Sequence, residues 1–218
     1  MYWLHGKEVF SDVAEVLEPA HCALLVIDMQ NDLISENGAY ARGGDDTAAV
    51  QAVVPTVAAL VETARSSDVP VIYTQNTTLP DGRSDSSARI YFKNYSRPSL
   101  ASEYTVAGTW GHRIVDELAP QPGEVVVTKH RSDAFVGTDL DLVLRAAGVA
   151  TVVTTGIVTN GCVESTVRHA AFLDYYSVLV EDACASNSEN LQQAAVSLLR
   201  GRHDVVTTAV VTQCWRKS

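Results

Sequence analysis

Long apolar runs are missing from this chain. Nothing in its 218 residues approaches the ~20 consecutive apolar positions that a membrane helix needs. Positive charge is scarce as well. Sixteen Lys and Arg stand against 26 Asp and Glu, a formal charge of −10, which argues against nucleic-acid partners and a polybasic membrane patch. Cysteine is sparse and scattered: Cys22, Cys162, Cys184 and Cys214 form no C-x-x-C pair and are too few for a disulfide framework. Glycine is absent between Cys22 and Gly38, where a dinucleotide fold would carry G-x-G-x-x-G, and the Walker pattern occurs nowhere; both standard nucleotide routes are disfavoured. No internal repeat or low-complexity linker interrupts the chain. Residues Met1–Glu18 mix charges with single apolar residues and lack a signal-peptide core. The expectation is a soluble, cytoplasmic protein.

Apolar residues, in contrast, are plentiful at 46%, with 19% charged, enough for a sizeable core. Cys22–Ile27 is continuously apolar, the mark of a strand covered on both faces. Similar runs occur at Val69–Thr74, Glu124–Thr128, Ala150–Thr155, Ser177–Glu181 and, more weakly, Asp204–Val211. Between them, Thr47–Arg65, Asp139–Ala147, Val163–Leu173 and Ser188–Leu199 space their apolar residues as helices do, and Gly148 and Gly201 stand where C-caps fall. Strands alternating with helices predict an α/β fold: a doubly wound, six-stranded, mostly parallel sheet flanked by helices in a Rossmann-like three-layer arrangement. Residues 1–218 then form one domain. Residues 76–107, polar and rich in Ser, Tyr and Arg, read as an excursion over the face that holds the site.

In such sheets ligands bind beyond the carboxyl ends of the strands, so the strand-terminal residues are the ones to weigh. Asp28 follows the first run, where partial desolvation suits a general base. Lys129 follows the third, and lysine seldom ends an apolar strand unless it is paired. Cys162 follows the fourth, after Gly156 and Gly161 and at the start of a helical pattern whose dipole favours a thiolate. Each residue alone has a plainer explanation: a capping carboxylate, a snorkelling lysine, a small buried hydrophobe. Together they supply an acid, an amine and a thiol on one edge of one sheet, with Lys129 lowering the thiol pKa and Asp28 accepting its proton. The other three cysteines read as packing residues. His130 reads as structural, and His169, two helical turns beyond Cys162, lies about 10 Å away, too far for direct proton transfer.

The blocks Val26–Leu33, Thr128–Phe135 and Gly156–Val163 resemble those of the isochorismatase-like cysteine hydrolases, over nearly the whole chain. The resemblance implies a catalytic triad of Asp28, Lys129 and Cys162, an oxyanion hole from the backbone N–H groups of Val158 and Cys162, and a cis peptide at Ile157–Val158. Isochorismatases in the strict sense lack the cysteine, so Cys162 points to cleavage of an amide or ureide. The nicotinamidases of the family carry an Asp/His metal cluster after the second strand. Here Thr74–Asp81 contains no histidine, so no metal and no cofactor is expected. Gly108–Gly111 and Val163–Thr166 look most like biuret and ureidoacrylate amidohydrolases, whereas Gly161 looks like N-carbamoylsarcosine amidase. Leu33 and Asn76 are the expected substrate contacts. The partners expected are a small-molecule substrate and further copies of the chain, as a dimer or tetramer. Three readings remain open: an amidohydrolase of a small carbamoyl compound, a hydrolase of a larger amide or lactam of the streptothricin kind, and a silent binding module.

Overall fold

Burial on both faces of its strands organises this protein. The computed structural model describes residues 1–96 and 104–216. Strands β1 (Tyr2–Leu4) and β2 (Lys7–Val9) form an N-terminal hairpin that the sequence pattern had not signalled. Its turn residues His5 and Gly6 both have positive φ, as tight hairpins require. The main sheet contains β3 (Cys22–Ile27), β4 (Val71–Asn76), β5 (Val125–Lys129), β6 (Thr151–Ile157), β7 (Tyr176–Ala185) and β8 (Asp204–Val206). Their order is β5-β4-β3-β6-β7-β8, and every neighbouring pair is parallel. The expected α/β architecture is therefore present.

Alternation along β3 shows why the sheet needs two covering layers. Cys22, Leu24 and Val26 pack into one apolar cluster with Val57, Leu60 and Val61 of α5 (Val54–Ser66) and Trp215 of α10 (Thr208–Trp215). Ala23, Leu25 and Ile27 pack into the other, with Leu140 and Leu144 of α7 (Leu140–Ala146), Val167 and Ala170 of α8 (Glu164–Phe172) and Leu199 of α9 (Glu189–Arg200). The chain leaves β3 towards β4 and β5 but leaves β6 towards β7 and β8. The direction of winding reverses between β3 and β6, and a crevice opens there at their carboxyl ends.

Several boundaries differ from expectation, each for a local reason. The expected strand Asp204–Val211 stops at Val206 and α10 begins at Thr208. Asp182 switches it: its carboxylate accepts the Thr208 N–H at 2.8 Å and the Thr208 hydroxyl at 2.7 Å, capping the first turn. Thr47–Arg65 divides into α4 (Ala48–Ala52) and α5, because Pro55 has no N–H to continue the first helix and sits well in the first turn of the second. Pro70 lies just before β4, not in it, and its carbonyl accepts the Leu24 N–H. Gly148 follows α7 with φ +70°, whereas Gly201 caps α9 with an ordinary right-handed φ of −74°. The 76–107 excursion contains a helix, α6 (Ser87–Ser96), that its polarity had hidden; residues 97–103 of it lie outside the described residues. No helix of the described residues is long and apolar enough to cross a membrane.

Gly156 sets the spacing of the two central strands. It has φ +113° beside a register irregularity in the β6–β7 pairing, and a Cβ there would lie 2.2 Å from the Ile27 carbonyl oxygen. Gly156→Ala should therefore cost about 3 kcal/mol or more, from the forbidden φ and the backbone clash together. Urea denaturation reads this directly, and an unchanged midpoint would contradict it.

Candidate active site

Three strand ends converge on the crevice. Asp28, the residue after β3, turns out of the ladder with φ +53°, a conformation that Asp tolerates better than most residues. Its backbone N–H reaches Thr74 on β4, and the Thr74 hydroxyl donates to Oδ1 at 2.7 Å. That leaves Oδ2 facing Lys129. Lys129 ends β5, two strands away, and its long side chain crosses the end of β4 to place Nζ 2.7 Å from Oδ2. Both side chains are 0% exposed. The ammonium also donates to the carbonyls of Arg131 (2.9 Å) and Ser132 (3.1 Å) and to Cys162 Sγ at 3.3 Å. Cys162 lies in a π-helical turn, Thr159–Val163, between β6 and α8. The Thr166 hydroxyl anchors this turn by donating to the Cys162 carbonyl at 2.7 Å while accepting the Ala134 N–H at 3.1 Å. The Ile157–Val158 peptide is cis.

Lys129 lowers the thiol pKa as expected, but burial outweighs it. Burial pushes the Cys162 thiol up to about 12; Lys129 pulls it down, but Asp28 opposes that. Cys162 also precedes α8 rather than opening it, so the helix dipole does not decide the matter. Lys129 donates to the sulfur at 3.3 Å, and burial beside the Asp28 carboxylate favours the protonated thiol. For Lys129, burial works against the charge, but the proximity of Asp28 and of Cys162 outweighs it and raises the pKa. A charged ammonium beside a neutral thiol and a carboxylate is the arrangement from which a proton can pass from sulfur to Asp28 as the thiolate forms.

A cavity of about 350 Å³ lies over these groups. Leu33 and Asn76, expected as substrate contacts, both line it, with Tyr40, Tyr104, Val158 and Gly161. The polar residues after Asp28 hold its walls. Gln30 accepts the Asn76 N–H (2.8 Å) and donates to the carbonyls of Asn76 (3.0 Å) and His112 (2.7 Å). Asn31 donates to the Trp110 carbonyl. Asp32, also buried, accepts the Thr105 and Ala39 N–H groups at 2.7 and 3.1 Å. Asn76 in turn donates to the Thr105 hydroxyl at 2.9 Å. The excursion returns to the body through these bonds.

Its helix α6 adds lining residues that sequence reasoning did not single out, Arg89, Phe92 and Lys93. Lys93 pairs with Asp85 at 2.5 Å, both side chains buried. Neither flagged histidine lines the cavity: His130 Nδ1 lies 2.7 Å from the Thr77 carbonyl and His169 Nδ1 lies 2.6 Å from Asp133 Oδ2. Among the described residues no group of three or more His, Cys, Asp or Glu side chains is placed to hold a metal ion. Cys22 and Cys184 are buried in the apolar clusters, and Cys214 is packed against one of them.

Comparison with known proteins matches residues 22–210 to the Isochorismatase domain family. A ureidoacrylate amidohydrolase, RutB, from Rhizobium rhizogenes is 38% identical over 189 residues, covering 83% of this chain and 77% of that protein. Among solved structures, an isochorismatase-like hydrolase from Alkaliphilus metalliredigens superposes with a TM-score of 0.77 at 30% identity, covering 89% of this chain and 99% of the other. The N-carbamoylsarcosine amidase of Thermoplasma acidophilum gives 0.67 at 29% identity, over 86% of this chain and 96% of that one.

The buried ion pair makes a stability prediction. Lys129→Met leaves the Asp28 carboxylate buried without a cation and should cost roughly 3–5 kcal/mol. Adding Asp28→Asn removes the stranded charge and should recover part of that loss. Chemical denaturation of the single and double variants checks both, and a double variant less stable than Lys129→Met alone would refute the account.

Proposed function

Since the chain belongs to the isochorismatase family and is a hydrolase of carbon–nitrogen bonds other than peptide bonds, we propose that it cleaves a small amide, ureide or carbamoyl compound through a thioester-type intermediate, without a metal. The observation that carries this reading is Lys129 Nζ, held 2.7 Å from Asp28 Oδ2 and 3.3 Å from Cys162 Sγ, the latter two lining a cavity of about 350 Å³.

The chemistry follows from the protonation states. Asp28 takes the thiol proton as sulfur attacks the substrate carbonyl, and Lys129 stabilises the thiolate as it forms. Making the thiolate only during attack suits a thiol whose resting pKa is about 12. The carbonyl oxygen becomes an oxyanion, received by the backbone N–H groups of Val158 and Cys162. Donors of this kind are each worth roughly 3–4 kcal/mol of barrier. Collapse breaks the carbon–nitrogen bond, and Asp28 returns the proton to the leaving nitrogen. Asp28 then activates a water that hydrolyses the sulfur-bound acyl group and restores the thiol.

Cavity size favours a small substrate over a lactam of the streptothricin kind, since about 350 Å³ is near the lower end for ligand pockets. The neutral resting thiol also removes one contrast between an enzyme and a silent module. Slow alkylation by iodoacetamide near neutral pH is expected of either, so turnover has to decide.

An ammonia-release screen over 3-ureidoacrylate, biuret, N-carbamoyl amino acids, nicotinamide and lactams is the test. Cys162→Ala should abolish release while leaving the fold intact, and Cys22, Cys184 and Cys214 should tolerate substitution. Activity retained in Cys162→Ala would end this mechanism. EDTA should leave the rate unchanged; a loss restored by zinc or iron would show that a metal takes part.

A further inference from the structure

The charges around the cavity do not cancel. Asp28 is paired with Lys129, and Asp85 with Lys93. The Cys162 thiol is neutral at rest. Arg89, one helical turn before Lys93 on α6, is the remainder. Its backbone N–H donates to Ser86 Oγ, but among the described residues nothing accepts from its guanidinium, and its Nε is buried without a partner. A desolvated donor with no acceptor is rare in a folded protein and calls for a cause. Here it lines the cavity, in a chain whose overall charge is −10 and where acidic partners are abundant.

We infer that Arg89 is the specificity-determining residue of this site and receives a carboxylate carried by the substrate. The guanidinium fork matches a planar carboxylate, and with its Nε already out of water such a charge-assisted pair outweighs its neutral counterpart. The inference rests on the hydrolytic reading above and narrows it. With a carbonyl carbon presented to Cys162 and an anion to Arg89, the substrate is a carbamoyl or ureido acid. Neutral biuret, nicotinamide and lactams leave Arg89 unanswered.

Binding separates this inference from the reading it rests on. Three carboxylates, 3-ureidoacrylate, 3-ureidopropionate and N-carbamoylsarcosine, are titrated calorimetrically into Cys162→Ala protein. So is isopentylurea, in which methyl groups replace the carboxylate oxygens of 3-ureidopropionate. At least one carboxylate should bind, and more tightly than isopentylurea. Adding Arg89→Gln should weaken it roughly 10- to 100-fold, with Arg89→Lys falling between. The preference over isopentylurea should shrink in parallel, which a general loss of folding would not produce.

Binding of none of the carboxylates, equal binding of the neutral urea, or an Arg89→Gln protein that binds as its parent does would each overturn the assignment. If Arg89-dependent binding occurs but the wild type releases no ammonia from the bound compound, the assignment holds and the hydrolytic reading fails. If the wild type and Arg89→Gln hydrolyse neutral and anionic ureas alike, hydrolysis stands and the assignment falls.

Discussion

A fully buried ion pair sets the terms for the rest of this molecule. Taking Asp28 and Lys129 out of water costs several kcal/mol for each ion, and attraction alone seldom returns it. The fold offsets this with hydrogen bonds from fixed positions: the Thr74 hydroxyl on one carboxylate oxygen and two loop carbonyls on the ammonium. They come from two segments, β4 and the turn after β5, so the pair exists only once the sheet is assembled. The crevice between β3 and β6 is where a doubly wound sheet leaves strand ends uncovered by its own connections. Architecture and chemistry thus meet for one reason.

Much of this was legible in the residues. Cys22–Ile27 is apolar throughout because helices cover both of its faces, and that continuity placed Asp28 at its end. Lys129 stood out because an unpaired lysine has no business closing an apolar strand. What escaped was decided by distant partners. Asp204–Val211 reads as a strand in isolation; Asp182, more than twenty residues earlier, turns its second half into a helix. The N-terminal hairpin and α6 expose large apolar side chains such as Trp3, Tyr91 and Tyr95, and so present neither a clean alternation nor a clean apolar stripe.

The protonation of Cys162 teaches a related lesson. Position near a helix start and a neighbouring lysine both argued for a thiolate. Burial outweighs them, because the same dryness that strengthens the Lys129 contact also penalises a second anion beside Asp28. Likewise, Arg89 in a polar stretch looks like any solvated arginine until α6 is laid over the crevice and its Nε loses water. Gln30, Asn31 and Asp32 carry no chemistry of their own in this account, yet all are buried and each bonds to another part of the wall. A block of polar residues after a strand can serve as framework as readily as machinery.

Gly156 shows how small a thing governs such a site. Asp28 and Cys162 hang from the ends of adjacent strands, so the gap between them is inherited from how closely those strands approach. At the last paired position before Asp28 that approach is limited by a hydrogen atom where every other residue would place a carbon. Proton transfer is unforgiving of displacements on the order of 1 Å. The reach of the proton from sulfur to carboxylate is therefore written into the backbone, by a side chain that is not there.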